Sequence, residues 1–447
     1  MKILLTTHQF FPDFRSGTEV LTLEVAKELQ RLGHDVHVFT GYPETRQLSD
    51  SERFDHYVYD GIPVERFRHS YQLMGNQKES FTAEYDNQFF AVYFRSYLKS
   101  LKPQIVHFFH LHRLSGSAID VCAELDIPRV CTPTDFWLIC PLNQLRLPDN
   151  SLCKGPGFSS INCLRHLDVY FDHPGRKSRL VKLPDWLLAA VIWLNNLPVM
   201  PRGFLPFMRA ATSRVEFMVK RMNMLDRLFV PTRLMMELLA QNGLRPDKAV
   251  YCPFGLNLDY INRQIKTFHA PPLKVGYIGS LGEHKGVHLL VDAIRNLPQE
   301  LLELKIYGKM DDFPEYVDSL KRKAADDPRV SFCGTFPNDR IGEIIADIDV
   351  LVVPSIWYEN TPLVIYSAQA AGCPVIATNL GGMSEVITDE ENGLLFEAGD
   401  IEGLASALKR LTEDRFLLER LSRKARMPKT ISEYVEEILQ EYNGLAK

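Results

Sequence analysis

Residues 351–378 read LVVPSIWYENTPLVIYSAQAAGCPVIAT and hold the clearest structural pattern in the chain. Residues 351–353 are aliphatic or β-branched throughout, which is typical of a strand buried on both faces of a parallel sheet. The Ala-rich residues 365–371 predict a helix that a glycine ends, and 375–377 predict a second buried strand. This strand–helix–strand crossover is right-handed, so the intervening loop with Glu359 is expected at the ligand-binding edge of the sheet.

The start of the predicted helix is suited to an anion. Thr361 is predicted as its N-cap, with Pro362 at the first helical position. The free amides of Leu363 and Val364 would then face an incoming anion at the positive end of the helix dipole.

This stretch resembles the donor-sugar motif of the retaining family 4 glycosyltransferases. In that motif a Glu is followed by seven residues, a second Glu, a helix of small residues and then G-x-P-V-I-A. Glu359 stands at the first Glu position, whereas Ser367 replaces the second. The resemblance implies that Glu359, Asn360, Thr361 and Ser367 contact the donor.

Composition restricts the class of protein. The chain has 447 residues, 45% of them hydrophobic and 24% charged, which predicts a soluble globular protein of two or three domains. A net charge of -5 gives no support to nucleic acid as a partner. No signal peptide and no window of ~18 apolar residues is recognisable, so a cytoplasmic protein is expected. Its eight cysteines are accordingly expected to be reduced.

The first residues predict a βαβ unit. Lys2–Thr7 is the first strand, residues 16–19 (SGTE) fit a capping box, and 35–40 is the second strand. A Pro-containing loop that ends in G-x-E before a helix again resembles the start of the family. There, the resemblance places the backbone amide of Gly17 near the donor diphosphate. The alternative is that Gly17 and Glu19 serve only to cap the helix.

A second loop predicts a phosphate contact. Residues 274–279 predict a strand, followed by SLGEHKG at 280–286. In the family this loop carries an Arg and a Lys that clamp the diphosphate; Lys285 is retained, and Ser280 stands in the Arg position. The resemblance also places Gly334 where the nucleotide base is held.

A third loop departs from the family. His110 and His112 follow the predicted strand 105–110 and are candidates for substrate contact, the alternative being solvated loop histidines. Relatives commonly carry His-Asp after the next strand, where this chain has Thr134 and Asp135. Because Asp135 stands at the Asp position of the family, the resemblance makes it a candidate catalytic residue.

Three cysteines and a histidine are spaced by twelve, nine and two residues: Cys140, Cys153, Cys163 and His166. Three thiols and an imidazole are a plausible structural zinc set in a loop-rich segment. The alternative is a group of buried or unpaired thiols.

Residues 165–221 carry ten basic and four acidic residues and are therefore net positive, whereas the whole chain has a net charge of -5. Within them, 186–194 (WLLAAVIWL) is apolar on every side and too short to span a bilayer. Two tryptophans beside basic flanks favour an interfacial helix on anionic lipid, in particular with the basic residues 176–182. The alternative is a helix buried in the domain or at a dimer contact.

The predicted fold class is α/β: two doubly wound Rossmann-like domains facing across a cleft, the GT-B architecture that the resemblance implies. The expected domains are 1–250, with an insertion at about 140–221, and 273–425; residues 262–272 are expected to be a polar linker. Residues 426–447 are expected to form a helix that crosses back to the first domain.

The function implied by the resemblance is transfer of a sugar from a nucleoside diphosphate donor, with retention at the anomeric carbon. Glu359 would orient the sugar, and Lys285 with the helix amides would stabilise the leaving diphosphate without a metal cofactor. The acceptor is expected to be lipid-linked or a polysaccharide, with the enzyme peripheral on the inner face of the membrane. Because Thr134, Ser280 and Ser367 depart from the family, an inactive nucleotide-sugar-binding subunit is the alternative, and a sugar-nucleotide epimerase a more distant one.

Overall fold

The computed structural model describes residues 1–70, 72–170, 182–197, 205–267, 270–298, 301–414 and 416–446. Its strands are β1 Lys2–Thr7, β2 Asp35–Pro43, β3 Phe54–Tyr59, β4 Ile62–His69, β5 Ile105–Phe108, β6 Arg129–Cys131, β7 Arg227–Val230, β8 Ala249–Tyr251, β9 Leu273–Ile278, β10 Leu302–Tyr307, β11 Val330–Gly334, β12 Val350–Val353, β13 Val375–Thr378 and β14 Gly393–Phe396. Its helices are α1 Gly17–Arg31, α2 Ser80–Tyr85, α3 Gln88–Leu101, α4 Ser117–Glu124, α5 Ile161–Tyr170, α6 Asp185–Asn196, α7 Pro206–Met224, α8 Arg233–Gln241, α9 Val287–Arg295, α10 Pro314–Ala324, α11 Ile341–Ala346, α12 Leu363–Ala371, α13 Gly382–Val386, α14 Ile401–Glu413, α15 Leu417–Lys424 and α16 Ile431–Leu445.

The first unit comprises Met1–Pro231, Met235–Pro253 and Tyr434–Lys447. Its eight-stranded sheet has the order β3-β4-β2-β1-β5-β6-β7-β8, with the β3–β4 pair antiparallel. The last helix belongs to this unit from Tyr434 onwards, and the Tyr434 hydroxyl lies 3.0 Å from the Thr132 hydroxyl beside the sheet.

The second unit comprises Thr232–Leu234 and Phe254–Glu433, with a six-stranded parallel sheet in the order β11-β10-β9-β12-β13-β14. Alternate residues of β12 face opposite cores: Val350 and Val352 lie in one, Leu351 and Val353 in the other. The expected strand buried on both faces is therefore present. The prediction of two parallel-sheet α/β domains is confirmed.

Two local expectations differ from the structure. The antiparallel strand β3 was not predicted, and the Asp60-Gly61 turn, in which both residues have a positive φ, joins it to β4. Residues 262–272 were predicted to be a polar linker. This prediction is wrong at Lys266, because that residue is 7% exposed and packs into the second unit. Its ammonium donates to the Ile345 and Ala346 carbonyls at 3.0 and 2.7 Å, satisfying acceptors at the end of α11.

Candidate functional site

Three loops lie at the carboxyl edge of the second sheet, where parallel strands present their ligand-binding residues. They follow β9, β12 and β13 and span 279–286, 354–362 and 379–381. The first two are joined by a backbone hydrogen bond of 2.9 Å from the Ile356 amide to the His284 carbonyl. The sequence therefore folds two separate motifs into one local structure.

Gly286 determines how closely these two loops approach. Its φ is +68°, and a Cβ at this position would lie 1.9 Å from the Pro354 carbonyl oxygen. Only glycine fits both the left-handed conformation and the contact. The neighbouring Lys285 is thereby held against the loop that follows β12.

One oxygen of Glu359, Oε1, accepts three hydrogen bonds. Lys285 Nζ, Ser355 Oγ and Trp357 Nε1 each lie 2.7 Å from it. The Glu359 residue is 6% exposed, and the Lys285 ammonium also lies 4.9 Å from the centroid of the Trp357 ring. Charge-assisted bonds of this kind hold a carboxylate in one orientation. The result is a fixed carboxylate with a cation beside it, four residues before α12.

Helix α12 begins at Leu363, one residue later than predicted, with Pro362 at N-cap. The prediction that Thr361 caps the helix is wrong, because its hydroxyl donates to the Gly382 carbonyl at 3.0 Å instead. Leu363 and Val364 supply the first two helical amides, which have no acceptor within the helix. They remain available to an anion at the positive end of α12.

The other predicted donor contacts of the second unit lie on the same edge of its sheet. Gly334 ends β11 with a φ of +71°, Ser280 is half-buried after β9, and Asn360 is buried next to Glu359. Ser367 is buried in α12, where its hydroxyl donates to the Leu363 carbonyl at 3.1 Å.

The first sheet has a candidate site at its own carboxyl edge. Helix α1 begins at Gly17, and the predicted capping box is confirmed, since Glu19 accepts from the Ser16 amide at 2.6 Å. Thr134, which stands where relatives carry a histidine, makes hydrogen bonds within this edge. Its hydroxyl lies 2.9 Å from that of Thr18 and 3.2 Å from a backbone carbonyl of the neighbouring strand loop.

His110 meets Asp135 at this edge, and His8 lies beside His110. His110 Nε2 lies 2.8 Å from Asp135 Oδ2, and His110 Nδ1 accepts from the His112 amide at 3.0 Å. Since Nδ1 is an acceptor, the neutral His110 ring carries its proton on Nε2 and donates it to Asp135. The His8 ring lies 4.2 Å from that of His110. The alternative of a solvated loop histidine is wrong for His110, which is 5% exposed.

Burial changes the protonation of this cluster. Desolvation raises the pKa of Glu19 to about 7, although the Ser16 amide opposes the change. Desolvation lowers the pKa of His8, with His110 and Arg113 acting in the same direction. His8 Nε2 is 3.7 Å from Glu19 Oε1, too far for a hydrogen bond. Burial therefore disfavours the charged forms of Glu19 and His8.

The four predicted zinc ligands Cys140, Cys153, Cys163 and His166 line one small cavity. In the described part of the chain, however, no three His, Cys, Asp or Glu side chains are arranged to hold a metal ion. No disulfide joins any of the eight cysteines, all of which lie in the described ranges.

Sequence analysis missed His8, Ser355 and Trp357. Each lies within a few residues of the carboxyl end of a buried strand, His8 directly after β1 and the other two after β12. Polar residues at that end of a parallel strand were the signal that could have identified them.

Two family models match the chain: Glycosyltransferase Family 4 over residues 15–154 and Glycosyl transferases group 1 over residues 272–414. The sulfoquinovosyl transferase SQD2 of Arabidopsis thaliana is 31% identical over 153 residues, covering 34% of this chain and 28% of that protein. The lipopolysaccharide core biosynthesis glycosyltransferase LpsE of Rhizobium meliloti is 34% identical over 148 residues, covering 32% of this chain and 41% of that protein. The chain thus matches less than half the length of these two relatives.

Solved structures match over the full chain. Sucrose-phosphate synthase from Thermosynechococcus elongatus has a TM-score of 0.68 at 17% identity, covering 99% of this chain and 98% of that one. HepE of Anabaena has a TM-score of 0.64 at 17% identity, covering 99% and 100%. At these identities the likeness establishes the fold. The protein belongs to the family 4, or group 1, glycosyltransferases and has the two Rossmann-like domains of the GT-B class.

Proposed function

We propose that the protein transfers a glycosyl group from a nucleoside diphosphate sugar to an acceptor hydroxyl, with retention at the anomeric carbon. The observation that carries the proposal is the ion pair between Lys285 and Glu359. Glu359 lies four residues before the free amides at the start of α12. HepE was solved in complex with UDP-glucose, and the proposal extends that class of donor to this chain.

The leaving diphosphate gains negative charge as the glycosidic bond breaks. Lys285 and the amides of Leu363 and Val364 are donors fixed in advance for that charge. An ammonium has three donors, so Lys285 can bind phosphate while it retains Glu359. With cation and helix amides in these positions, we propose that transfer requires no metal cofactor.

Glu359 would orient the donor sugar by accepting hydrogen bonds from its hydroxyls. Ser367 already donates within α12, so it would meet a ribose hydroxyl as an acceptor. In the first unit, the Gly17 amide would contact the diphosphate, and Asp135 would act on the sugar through His110.

Saturation-transfer NMR with UDP-, GDP- and ADP-sugars tests this function first. One class should bind, and its turnover with a saccharide acceptor should give a product whose anomeric configuration, read by proton NMR, matches the donor. Failure of all three classes to bind would overturn the proposal. Inversion in the product would overturn retention alone, and binding without transfer or hydrolysis would favour the inactive subunit.

The proposed lipid-linked acceptor is supported by helix α6, which is apolar on two faces. Leu188 and Ile192 are buried, whereas Trp186 and Trp193, two turns apart on the opposite face, are 73% and 64% exposed. No helix among the described residues is long and apolar enough to cross a membrane. We propose that the exposed face of α6 lies in a lipid surface, where amphipathic tryptophan rings are favoured.

The structure gives less support to an electrostatic contact with anionic lipid, because three of the basic residues at 165–221 are paired or buried. Arg165 pairs with Asp185 at 2.8 Å, Arg221 pairs with Asp120 at 2.9 Å, and Arg214 is buried. Arg176, Lys177, Arg179 and Arg202 lie outside the described residues.

Co-sedimentation with liposomes tests the membrane contact. Trp186→Ala with Trp193→Ala should reduce binding to vesicles of anionic and zwitterionic lipid, since both exposed rings are lost. Phe416→Ala, which removes a 74% exposed ring in the second unit, is the matched control and should have no effect. A folded double variant that sediments like the parent protein would refute the contact.

A further inference from the structure

A cluster of thiols lies outside both sheet edges, in the segment that follows Asp135. Cys140 and Cys153 are brought together by a short hairpin. In it, Arg146 and Leu152 form an antiparallel β-bridge, and the Cys153 amide donates to the Leu145 carbonyl at 2.7 Å. Cys140 itself ends a turn, since its amide donates to the Phe136 carbonyl at 2.8 Å. Two cysteines thirteen positions apart are thus placed on adjacent loops.

Helix α5 supplies the other two members. Cys163 and His166 are three residues apart, so they lie on one face of the helix, one above the other. They line the same cavity as Cys140 and Cys153. Its volume is about 20 Å³, which holds one particle the size of a water molecule and no organic ligand.

Two amide groups are directed at one of the sulfur atoms. The Gly155 amide lies 3.3 Å from Cys153 Sγ, and Asn162 Nδ2 lies 3.6 Å from the same sulfur. Gly155 has a φ of +110°, and a Cβ there would lie 2.3 Å from Asn242 Oδ1, so glycine is required for this turn. Amide donors stabilise a thiolate, the form in which cysteine binds metal.

A buried cation adjoins the cluster. Arg214 is 3% exposed, donates to the Trp137 carbonyl, and lies close enough to Cys140 and Cys163 to interact electrostatically; Asp135 is another charged neighbour. A zinc ion with three thiolates and a neutral imidazole carries one net negative charge. Such a centre would supply a counter-charge to Arg214, which burial otherwise disfavours.

We propose that Cys140, Cys153, Cys163 and His166 bind one structural zinc ion. The set is complete and tetrahedral in type, with no position left for substrate. The described side chains are not arranged to hold a metal as they stand, so the proposal requires them to rotate into the cavity that they line, releasing the thiol protons. Zinc would then fix the hairpin and α5 to the loop that carries Asp135.

Metal analysis of the full chain, purified from zinc-supplemented cells without a metal-affinity step, tests this inference. About one zinc per chain is expected. Cys153→Ser and Cys163→Ser should each lower retained zinc at least about tenfold. Cys333→Ser, which removes an exposed cysteine of the second unit, should retain it.

Cobalt provides a second readout, which uses the parent protein and does not depend on whether the variants fold. The parent protein loaded with Co²⁺ should show thiolate-to-cobalt charge-transfer bands and tetrahedral visible bands, and a chelator should expose three additional reactive thiols. Zinc-free protein that does not take up Zn²⁺ or Co²⁺, or variants that retain full zinc, would overturn the proposal. A disulfide between two of these cysteines, detected by mass, would overturn it as well.

Discussion

The two sheet edges present carboxylates in opposite electrostatic settings. In the second unit, Glu359 is buried with a lysine ammonium and two neutral donors on one oxygen. In the first unit, Glu19 is buried against the His8 and His110 rings, and burial raises its pKa to about 7. One carboxylate is held by a counter-charge, and the other is driven towards its neutral form.

This difference predicts different responses to substitution. A paired carboxylate beside a helix terminus is suited to stabilising charge on a ligand, so its loss should reduce catalysis. A desolvated carboxyl with a pKa of about 7 titrates near neutral pH, so its loss should change the pH dependence of stability. The following variants examine the two edges in turn.

Glu359→Gln should produce the largest effect. The amide keeps the size of the side chain but loses the charge that orients Lys285 and the sugar, so transfer should fall by ~10²-fold or more. Steady-state kinetics with the cognate donor measures it. Glu390→Gln, which removes the Glu390–Arg410 surface ion pair of 2.8 Å, should leave the rate unchanged. Undiminished turnover in the folded Glu359 variant would refute its role.

Lys285→Ala should weaken binding of the nucleoside diphosphate about 10- to 100-fold, because its charge and donors are removed from the phosphate position. Calorimetric titration measures the change in Kd. Lys305→Ala is the matched control, since Lys305 pairs with Asp347 at 2.6 Å on the same sheet. Unchanged affinity in the Lys285 variant would show that the diphosphate binds elsewhere.

Asp135→Asn should lower kcat/KM about tenfold, because the carboxylate that accepts from His110 Nε2–H and holds the ring is lost. Steady-state kinetics measures kcat/KM. Asp35→Asn breaks a second His–Asp contact in the same unit, 3.1 Å from His37, and serves as the control. An unchanged kcat/KM in the folded Asp135 variant would show that Asp135 takes no part in transfer.

The two edges differ in how far the sequence alone could select their residues. Glu359 and Lys285 each lie within a continuous motif that resembles the family's, so the resemblance alone selects them as candidates. His8, His110 and Asp135 lie after three separate strands, and only the sheet order β1-β5-β6 brings them together.

Errors within the predicted regions have a similar origin. Thr361 has the side chain of a good N-cap, yet a carbonyl 21 residues away accepts its hydroxyl. Lys266 lies in a polar stretch, yet two carbonyls at the end of α11 bind its ammonium. In both cases a distant acceptor, absent from the local pattern, determined the outcome.

Glu19→Gln should have the smallest effect on transfer, and its effect on stability should depend on pH. The unfolded carboxyl titrates near its usual pKa of 4.5, whereas in the folded protein the pKa is about 7. Between these values the folded state binds more protons, so the stability of the parent protein falls as pH rises. Glutamine stays neutral and keeps the capping box with Ser16. Its stability relative to the parent should therefore increase with pH, by at most about 1.4 kcal/mol per pH unit, and level off above pH 7.

Urea unfolding at several pH values between 5 and 8 measures this difference. Glu52→Gln is the matched control, because Glu52 forms the same capping box with Ser49 on the exposed surface. There the Ser49 hydroxyl and amide lower the carboxyl pKa, so removal of the charge should give no change in relative stability over this range. If Glu19→Gln behaves like Glu52→Gln, the Glu19 carboxyl is ionised in the folded protein. The contrast between the two sheet edges would then be one of geometry alone.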